Sequence, residues 1–318
     1  MLRIATRRSA LARAQATQVG LALGGDFELV PLATTGDLHP DQAVEAFETK
    51  GLFVDAIRAA VADGTCDLAV HSAKDLPGDP VDGLSIGAYP RREDPRDVLV
   101  TGDGHLLRSL PSVATVGTSS ARRKLQLLRV RPDLQVLAIR GNVDTRLRKV
   151  VDGELTAVVV ALAGLRRLYT DPSIGGIGPL GLPLKAVTLE PGECLPAPAQ
   201  GALAVECRAD DDATLAALAT IDDPATRAAV AAERAFQRTL GGGCLTPIGA
   251  LATVSGDTIE LAGMLADPVR RRVVRQTASG PVDAPTDVAQ SLAGRILQLG
   301  GDAMLRNIDQ QVRAGHVG

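Results

Sequence analysis

Short apolar runs alternate with amphipathic, helix-period stretches through the first two thirds of the chain, and this alternation is the strongest constraint on its fold. Leu2–Thr6 reads as a strand and Ser9–Leu23 as a helix. Glu28–Ala33 reads as a strand, Gly51–Ala62 as a helix and Cys66–His71 as a strand ending in the polar cluster HSAKD. After the polar stretch Arg91–Asp97 the pattern resumes: strand Val113–Gly117, helix Ser120–Val130, strand Leu134–Ile139, helix Val143–Asp152, strand Ala157–Ala161 and helix Leu162–Tyr169. Such a rhythm predicts α/β layers with mainly parallel strands. A Gly/Pro-rich passage, Asp171–Gly192, is expected to be loops. Gly201–Cys207 reads as a further strand, with helices over Thr214–Ile221 and Ala225–Thr239. The last part changes character: Ile248–Val254, Thr258–Leu265 and Arg272–Ala278 alternate like antiparallel strands, and a helix over Thr286–Gly300 follows, as in a small α+β domain.

At 318 residues the chain is long enough for two or three domains. Its net charge of -3 offers no general basic field for nucleic acid, so any cationic site has to be local. Of 34 basic residues only five are lysines (Lys50, Lys74, Lys124, Lys149 and Lys185), leaving 29 arginines. A GC-rich genome accounts for that bias on the surface. The functional alternative is carboxylate or phosphate binding, which the planar guanidinium fork suits. Aromatic residues are 2% and Trp is absent, which argues against an aromatic cage. The four cysteines, at 66, 194, 207 and 244, form no C-x-x-C pair, and with four scattered His there is no zinc signature. MLRIATRRSALARAQ has no apolar run of a signal peptide, and no stretch approaches a membrane span; a reducing cytosol with free thiols is the expectation.

Three strand-to-helix junctions share one chemistry: Ile4–Ser9 (IATRRS), Val116–Arg123 (VGTSSARR) and Ile139–Arg146 (IRGNVDTR). Each puts hydroxyl or amide side chains and arginine where a helix begins, beside unpaired N–H groups and the positive end of the helix dipole. Capping alone explains any one of them. Three with arginine alongside, in α/β units whose ligands gather at strand carboxyl ends, point to an anion, either carboxylate or phosphate. The absence of a P-loop and of G-x-G-x-x-G disfavours a nucleotide. A fourth junction, Ala69–Pro77 (AVHSAKDLP), delivers Ser72, Lys74 and Asp75 to a loop stopped by proline. Lys74 and Asp75 read either as a surface ion pair or, in an arginine-rich cleft, as the acid that stabilises a cation or relays protons. Gly241-Gly242-Gly243-Cys244 makes an open loop with one thiol, a nucleophile only where its pKa is lowered.

Together these segments resemble one family, the hydroxymethylbilane synthases (porphobilinogen deaminases). RIATRRS, KGLF (Lys50–Phe53), HSAKDLP, REDPRD (Arg92–Asp97), GTSSARR, RGNVDTR, AGLRRL (Ala163–Leu168), AQGALAVECR (Ala199–Arg208) and AERAF…GGGC (Ala232–Cys244) occur in family order. The resemblance implies two lobes similar to type II periplasmic binding proteins plus a small C-terminal α+β domain. The implied boundaries are 1–96 with 200–216 for the first lobe, 97–199 for the second and 217–318 for the third. It implies a cytoplasmic, monomeric transferase of tetrapyrrole and haem biosynthesis that binds neither nucleic acid nor membrane. Such an enzyme joins four porphobilinogens by stepwise deamination on a dipyrromethane cofactor, then releases linear hydroxymethylbilane by hydrolysis.

On the same grounds Cys244 would hold the dipyrromethane by a thioether, with Lys74, Ser119, Arg122, Arg123 and Arg146 binding it. Asp75 matches the catalytic aspartate, which would stabilise the azafulvenium cation formed as porphobilinogen loses ammonia. Arg7, Ser9, Lys50, Phe53, Ser72, Thr118, Ser120, Arg140, Gly141, Asn142, Arg167, Gln200 and Arg208 match substrate-binding positions, and no metal is implied. Thr35, Glu48-Thr49, Ala73 and Pro198-Ala199 depart from the usual pattern; none is the aspartate or the cofactor cysteine.

Overall fold

The computed structural model describes residues 1–33, 54–77, 81–169, 182–241 and 246–313. By its contacts the chain divides into two units, Met1–Glu93 with Gly201–Arg227, and Asp94–Gln200 with Ala228–Gly318.

The first unit is built on a five-stranded sheet. β1 (Leu2–Arg7), α1 (Ala10–Leu23), β2 (Phe27–Leu32), α2 (Asp55–Ala62), β3 (Leu68–Ser72) and β4 (Leu84–Ala88) follow in order, and β10 (Leu203–Arg208) returns much later. The strand order is β2-β1-β3-β10-β4. β1 pairs parallel with β2 and β3, and β10 runs antiparallel to both β3 and β4. Four strands therefore share one direction and β10 alone opposes it. β10 is almost entirely buried, as its unbroken run LAVEC requires. Helices α6 (Asp212–Ala219) and α7 (Pro224–Thr239) follow it.

The second unit repeats the arrangement with β5 (Asp97–Thr101), β6 (Thr115–Gly117), α3 (Ala121–Val130), β7 (Gln135–Leu137), α4 (Val143–Val151), β8 (Ala157–Ala161), α5 (Leu162–Leu168) and β9 (Lys185–Thr188). Its order is β7-β6-β8-β5-β9, and β5 is the one reversed strand. β9 lies inside the passage expected to be loops, and β4 and β5 also emerge as strands where the sequence pattern gave none. β5 begins at Asp97 itself, the last residue of a polar run.

A third sheet, the antiparallel meander β11 (Ile248–Ser255), β12 (Thr258–Asp267) and β13 (Arg272–Pro281), carries α8 (Pro285–Ile296). Its core holds Phe236, Leu261, Leu265, Leu292 and Ile296. Gly263 lets that packing close: a Cβ there would stand 2.6 Å from Phe236 and 2.8 Å from Leu292. The expected last helix stops at Ile296, kinks through Gly300 at φ 102 and continues as α9 (Asp302–Arg313). The meander belongs to the same contact unit as the second sheet because Leu125 of α3, Leu195, Met264 and Ala266 form one buried cluster. Among the described residues no helix is long and apolar enough to cross a membrane.

Candidate functional site

In each five-stranded sheet the strand order reverses, so each has a switch point, at the carboxyl ends of β1 and β3 in the first and of β6 and β8 in the second. Ligands of open α/β sheets bind at such switch points.

In the first unit this edge brings two of the sequence junctions together. Arg7 ends β1, and Ser9 caps α1 by accepting from Ala12 N at 3.3 Å. Buried Thr6 donates from Oγ1 to Ala12 O at 3.0 Å, pinning strand to helix. Gln15, itself buried, donates from Nε2 to Ser72 Oγ at 2.8 Å, joining α1 to the end of β3. Lys74 and Asp75 follow in a single 3-10 turn, both exposed, and Ala73 N donates to Ala202 O at 3.0 Å. Beneath them His71 and Arg58 converge on buried Glu206, at 3.2 Å for the His71 Nε2 contact and 3.0 Å for the Arg58 ion pair. Burial pushes the Glu206 carboxyl up, but hydrogen bonds from His71 and Arg58 outweigh it and leave it below the usual range. Gln15, Arg58 and Glu206 carry no cue in the sequence that marks them for this site.

Arg208 stands apart from this group. β10 is reversed, so its last residue pairs with Leu84 while its first, Leu203, pairs with Ser72. Five strand steps of about 3.3 Å place Arg208 roughly 16 Å along the sheet from the Ser72 edge. There its Nη1 donates to Val61 O at 3.0 Å and Cys66 O at 3.1 Å, and Nη2 to Asp211 at 2.6 Å. These bonds close the edge of the sheet opposite Ser72, away from the other residues expected to bind substrate.

The second unit gathers its junctions more tightly. Thr118 is buried, with its N–H donating to Leu137 O at 2.9 Å, and its Oγ1 accepts from Ser120 N at 3.2 Å. Ser120 caps α3, accepting from Arg123 N at 3.4 Å. Ser119 Oγ accepts from Ile139 N at 3.1 Å and donates back to the Ile139 carbonyl, clamping the first junction to the next. Asn142 caps α4 by accepting from Thr145 N at 2.9 Å. Gly141 sits at φ 99, where a Cβ would meet Thr145 at 2.7 Å. Arg140 is exposed on this loop, and Arg146 donates from Nε to Gly141 O at 2.9 Å. Arg167 lies in the last turn of α5, on the strand-helix unit that follows.

At the centre is a residue that the sequence shows only as the end of a polar run. Asp97 is completely buried and accepts from Arg122 Nη1 at 2.8 Å, from Arg123 Nη2 at 2.7 Å and from Gln200 Nε2 at 2.8 Å. Burial alone would raise its pKa, but the Arg122 and Arg123 charges outweigh that and hold it far below the carboxylate range. Arg122 and Arg123 are themselves buried. Arg146 is held below the usual arginine range first by burial and then by the charge of Arg123. Two guanidinium groups thus pair with one resident carboxylate and Arg146 lies within reach of the Arg123 charge, so the excess positive charge suits anionic side chains.

Cys194 donates to Asp97 at 3.4 Å, and burial followed by the Asp97 charge pushes its thiol up to about 12. Burial likewise pushes Cys207 up to about 11 and raises Cys66. These three are protonated, buried thiols. Lys50, Phe53 and Cys244 lie outside the described residues. Among the described residues no group of three His, Cys, Asp or Glu could hold a metal ion.

Two family models match the chain: "Porphobilinogen deaminase, dipyromethane cofactor binding domain" over residues 2–216 and "Porphobilinogen deaminase, C-terminal domain" over 227–298. The porphobilinogen deaminase of Acidothermus cellulolyticus is 45% identical over 313 residues, covering 96% of this chain and 91% of that one. That of Syntrophus aciditrophicus is 42% identical over 314 residues, covering 97% and 99%. Among solved structures, the Bordetella pertussis BvgS periplasmic VFT2 domain is similar with a TM-score of 0.38 and 18% identity, covering 69% of this chain and 86% of that one.

Proposed function

The chain belongs to the porphobilinogen deaminase family, and on that premise we propose how its own residues divide the work of joining four porphobilinogens into linear hydroxymethylbilane. The observation that carries the assignment is the pair Arg122 and Arg123 on the single carboxylate of Asp97, with Arg146 close enough to feel the Arg123 charge. Porphobilinogen and every product of its condensation carry two carboxylates per ring, and such a cluster binds carboxylates without needing aromatic contacts.

The residues present fit a dipyrromethane, whose acidic side chains the arginine cluster would hold. When bound, that group supplies the pyrrole carbon onto which incoming rings are added. Arg122, Arg123 and Arg146 would grip its carboxylates, with Lys74 and Ser119 as further donors. Cys244 would carry the thioether; the other three cysteines are buried and protonated, and so are poor nucleophiles.

Arg7, Ser9, Ser72, Ser120, Arg140, Gly141, Asn142 and Arg167 would orient the carboxylates of porphobilinogen and of the lengthening chain, with Lys50 and Phe53 contributing. Asp75, exposed on a turn fixed by Ala73 and Leu76, would face the cation left when porphobilinogen loses ammonia and would hold the pyrrole N–H. Thr118 and Gln200 are buried, and Gln200 is bonded to Asp97 and Pro95, so they act by holding the neighbouring donors in place. Functionally, the first sheet carries the reacting acid and the second Arg122, Arg123 and Arg146, and Cys244 precedes the third sheet in sequence. We place the enzyme in the cytosol, as a monomer.

Intact-protein mass tests this reading. Protein from cells making tetrapyrroles should exceed its sequence mass by two linked pyrrole units, and Cys244→Ser should remove the excess. A wild-type protein at its bare mass would overturn it.

A further inference from the structure

β5 enters its sheet against the direction of its four companions, and its first residue pairs with Ala161, the last of β8. Asp97 therefore stands on the edge where β6, β7 and β8 end, among the arginine-bearing junctions. No solvent reaches it, and Arg122, Arg123, Gln200 and Cys194 all donate to it. A carboxylate stripped of water is tolerated only with such partners, and two adjacent buried guanidiniums equally require a resident anion.

We propose that Asp97 is a positioning residue for the cofactor: it draws Arg122 and Arg123 into a preset pair before any ligand carboxylate arrives. The inference rests on reading this cluster as the dipyrromethane site. Arg123 Nη1 is further fixed on Val159 O at 3.0 Å and Arg122 Nη1 on Leu195 O at 2.6 Å, so the pair is held from the strand side as well. Gln200 adds a coupling. Its Nε2 donates both to Asp97 and to Pro95 O at 2.7 Å, and the chain passes between the two units at Glu93–Asp94, at Gln200–Gly201 and at Arg227–Ala228. The first two of these passages are thereby tied to the carboxylate that sets the arginines.

Asp97→Asn keeps the shape and one acceptor oxygen but removes the charge. The variant would be purified beside wild type from the same cells, and the fraction carrying the two-ring mass, the thermal melt, and KM and kcat of the loaded fraction measured. The expected result is a cooperative melt, a loaded fraction down about tenfold, and in the loaded molecules a KM raised about tenfold with kcat within roughly threefold. A purely structural carboxylate would lower the melt without this KM-against-kcat split. Should Asp97→Asn fail to fold, Asp97→Glu, which keeps the charge one methylene out of place, decides: reduced loading with raised KM supports the proposal. Wild-type loading and KM in the folded variant overturn it. A wild-type control at bare mass would instead sink the cofactor reading, and the inference with it.

Discussion

Gln15 in the middle of α1 donates a 2.8 Å hydrogen bond to Ser72 Oγ at the end of β3, so the helix that starts beside Arg7 also fixes the strand end that presents Asp75. Gln15→Leu removes that donor from a buried position. It should lower stability by about 1 kcal/mol and, by loosening the Ser72–Asp75 turn, reduce kcat/KM about three- to tenfold. Urea unfolding and initial rates check this; a folded variant with wild-type kinetics would show that the link does not reach the reacting acid.

Asp75→Ala should retain the two-ring mass yet lose turnover by a factor of about 100 to 1000, the scale of losing one electrostatic stabiliser of a developing charge. Mass spectrometry and a porphobilinogen-consumption assay separate the two effects. Near-normal turnover would strip Asp75 of its role.

Arg140 and Arg208 make an opposed pair of tests. Arg140→Ala, at the carboxyl edge of the second sheet, should lower kcat/KM by roughly 10- to 100-fold with little change in melting, as for loss of a charged hydrogen bond to substrate. Arg208→Ala, at the far edge of the first sheet, should cost about 2 kcal/mol in unfolding free energy as the Val61 and Cys66 carbonyls lose their donor, while KM stays put. The reverse pattern would exchange their assignments.

Asp97 and Glu206 both titrate below their ordinary values of 3.8 and 4.5 in the folded protein. As pH falls through and below those values, the unfolded chain takes up protons that the folded one refuses, so stability rises with pH there and is fully present above about 4.5. Urea midpoints measured from pH 3 to 7 should fall away on the acid side, and Glu206→Gln should flatten that slope. Parallel curves for variant and wild type would exclude Glu206 as a source.

Ala199 occupies the left-handed region at φ 60, with its N–H held by buried Glu233 Oε2 at 2.5 Å. A Cβ in that conformation costs roughly 1–2 kcal/mol, and glycine returns about half of the gain as unfolded-state entropy. Ala199→Gly should therefore stabilise the fold by roughly 0.5 kcal/mol. A lower melting temperature would contradict this.

The layered α/β plan, most helices and the four polar junctions were legible because caps, arginines and the two hydrophobic periods are local signals. Strand direction is not local, and it decides where Arg208 and Asp97 stand. Arg208 closes a strand just as Arg7 does, but β10 is reversed and carries it to the far edge. Asp97 opens a strand that is also reversed, which brings it to the near edge. In sequence it merely ends the polar run REDPRD, and nothing in that run announces complete burial; the only cue was the apolar VLVT that follows. β4 and β9 were missed because half-exposed strands of four or five residues leave too few alternations to read.

β10 fills the slot between β3 and β4, and among the described residues β4 has no other neighbour in its sheet. A ribosome therefore exposes both strand edges while it makes the more than one hundred residues separating β4 from β10. A nascent chain ending near residue 200 would display two unsatisfied ladders, the kind of surface that invites aggregation or chaperone capture. Vectorial synthesis thus delays the first unit's completion until the second has largely emerged, and stop codons in that interval should yield insoluble fragments rather than a working half.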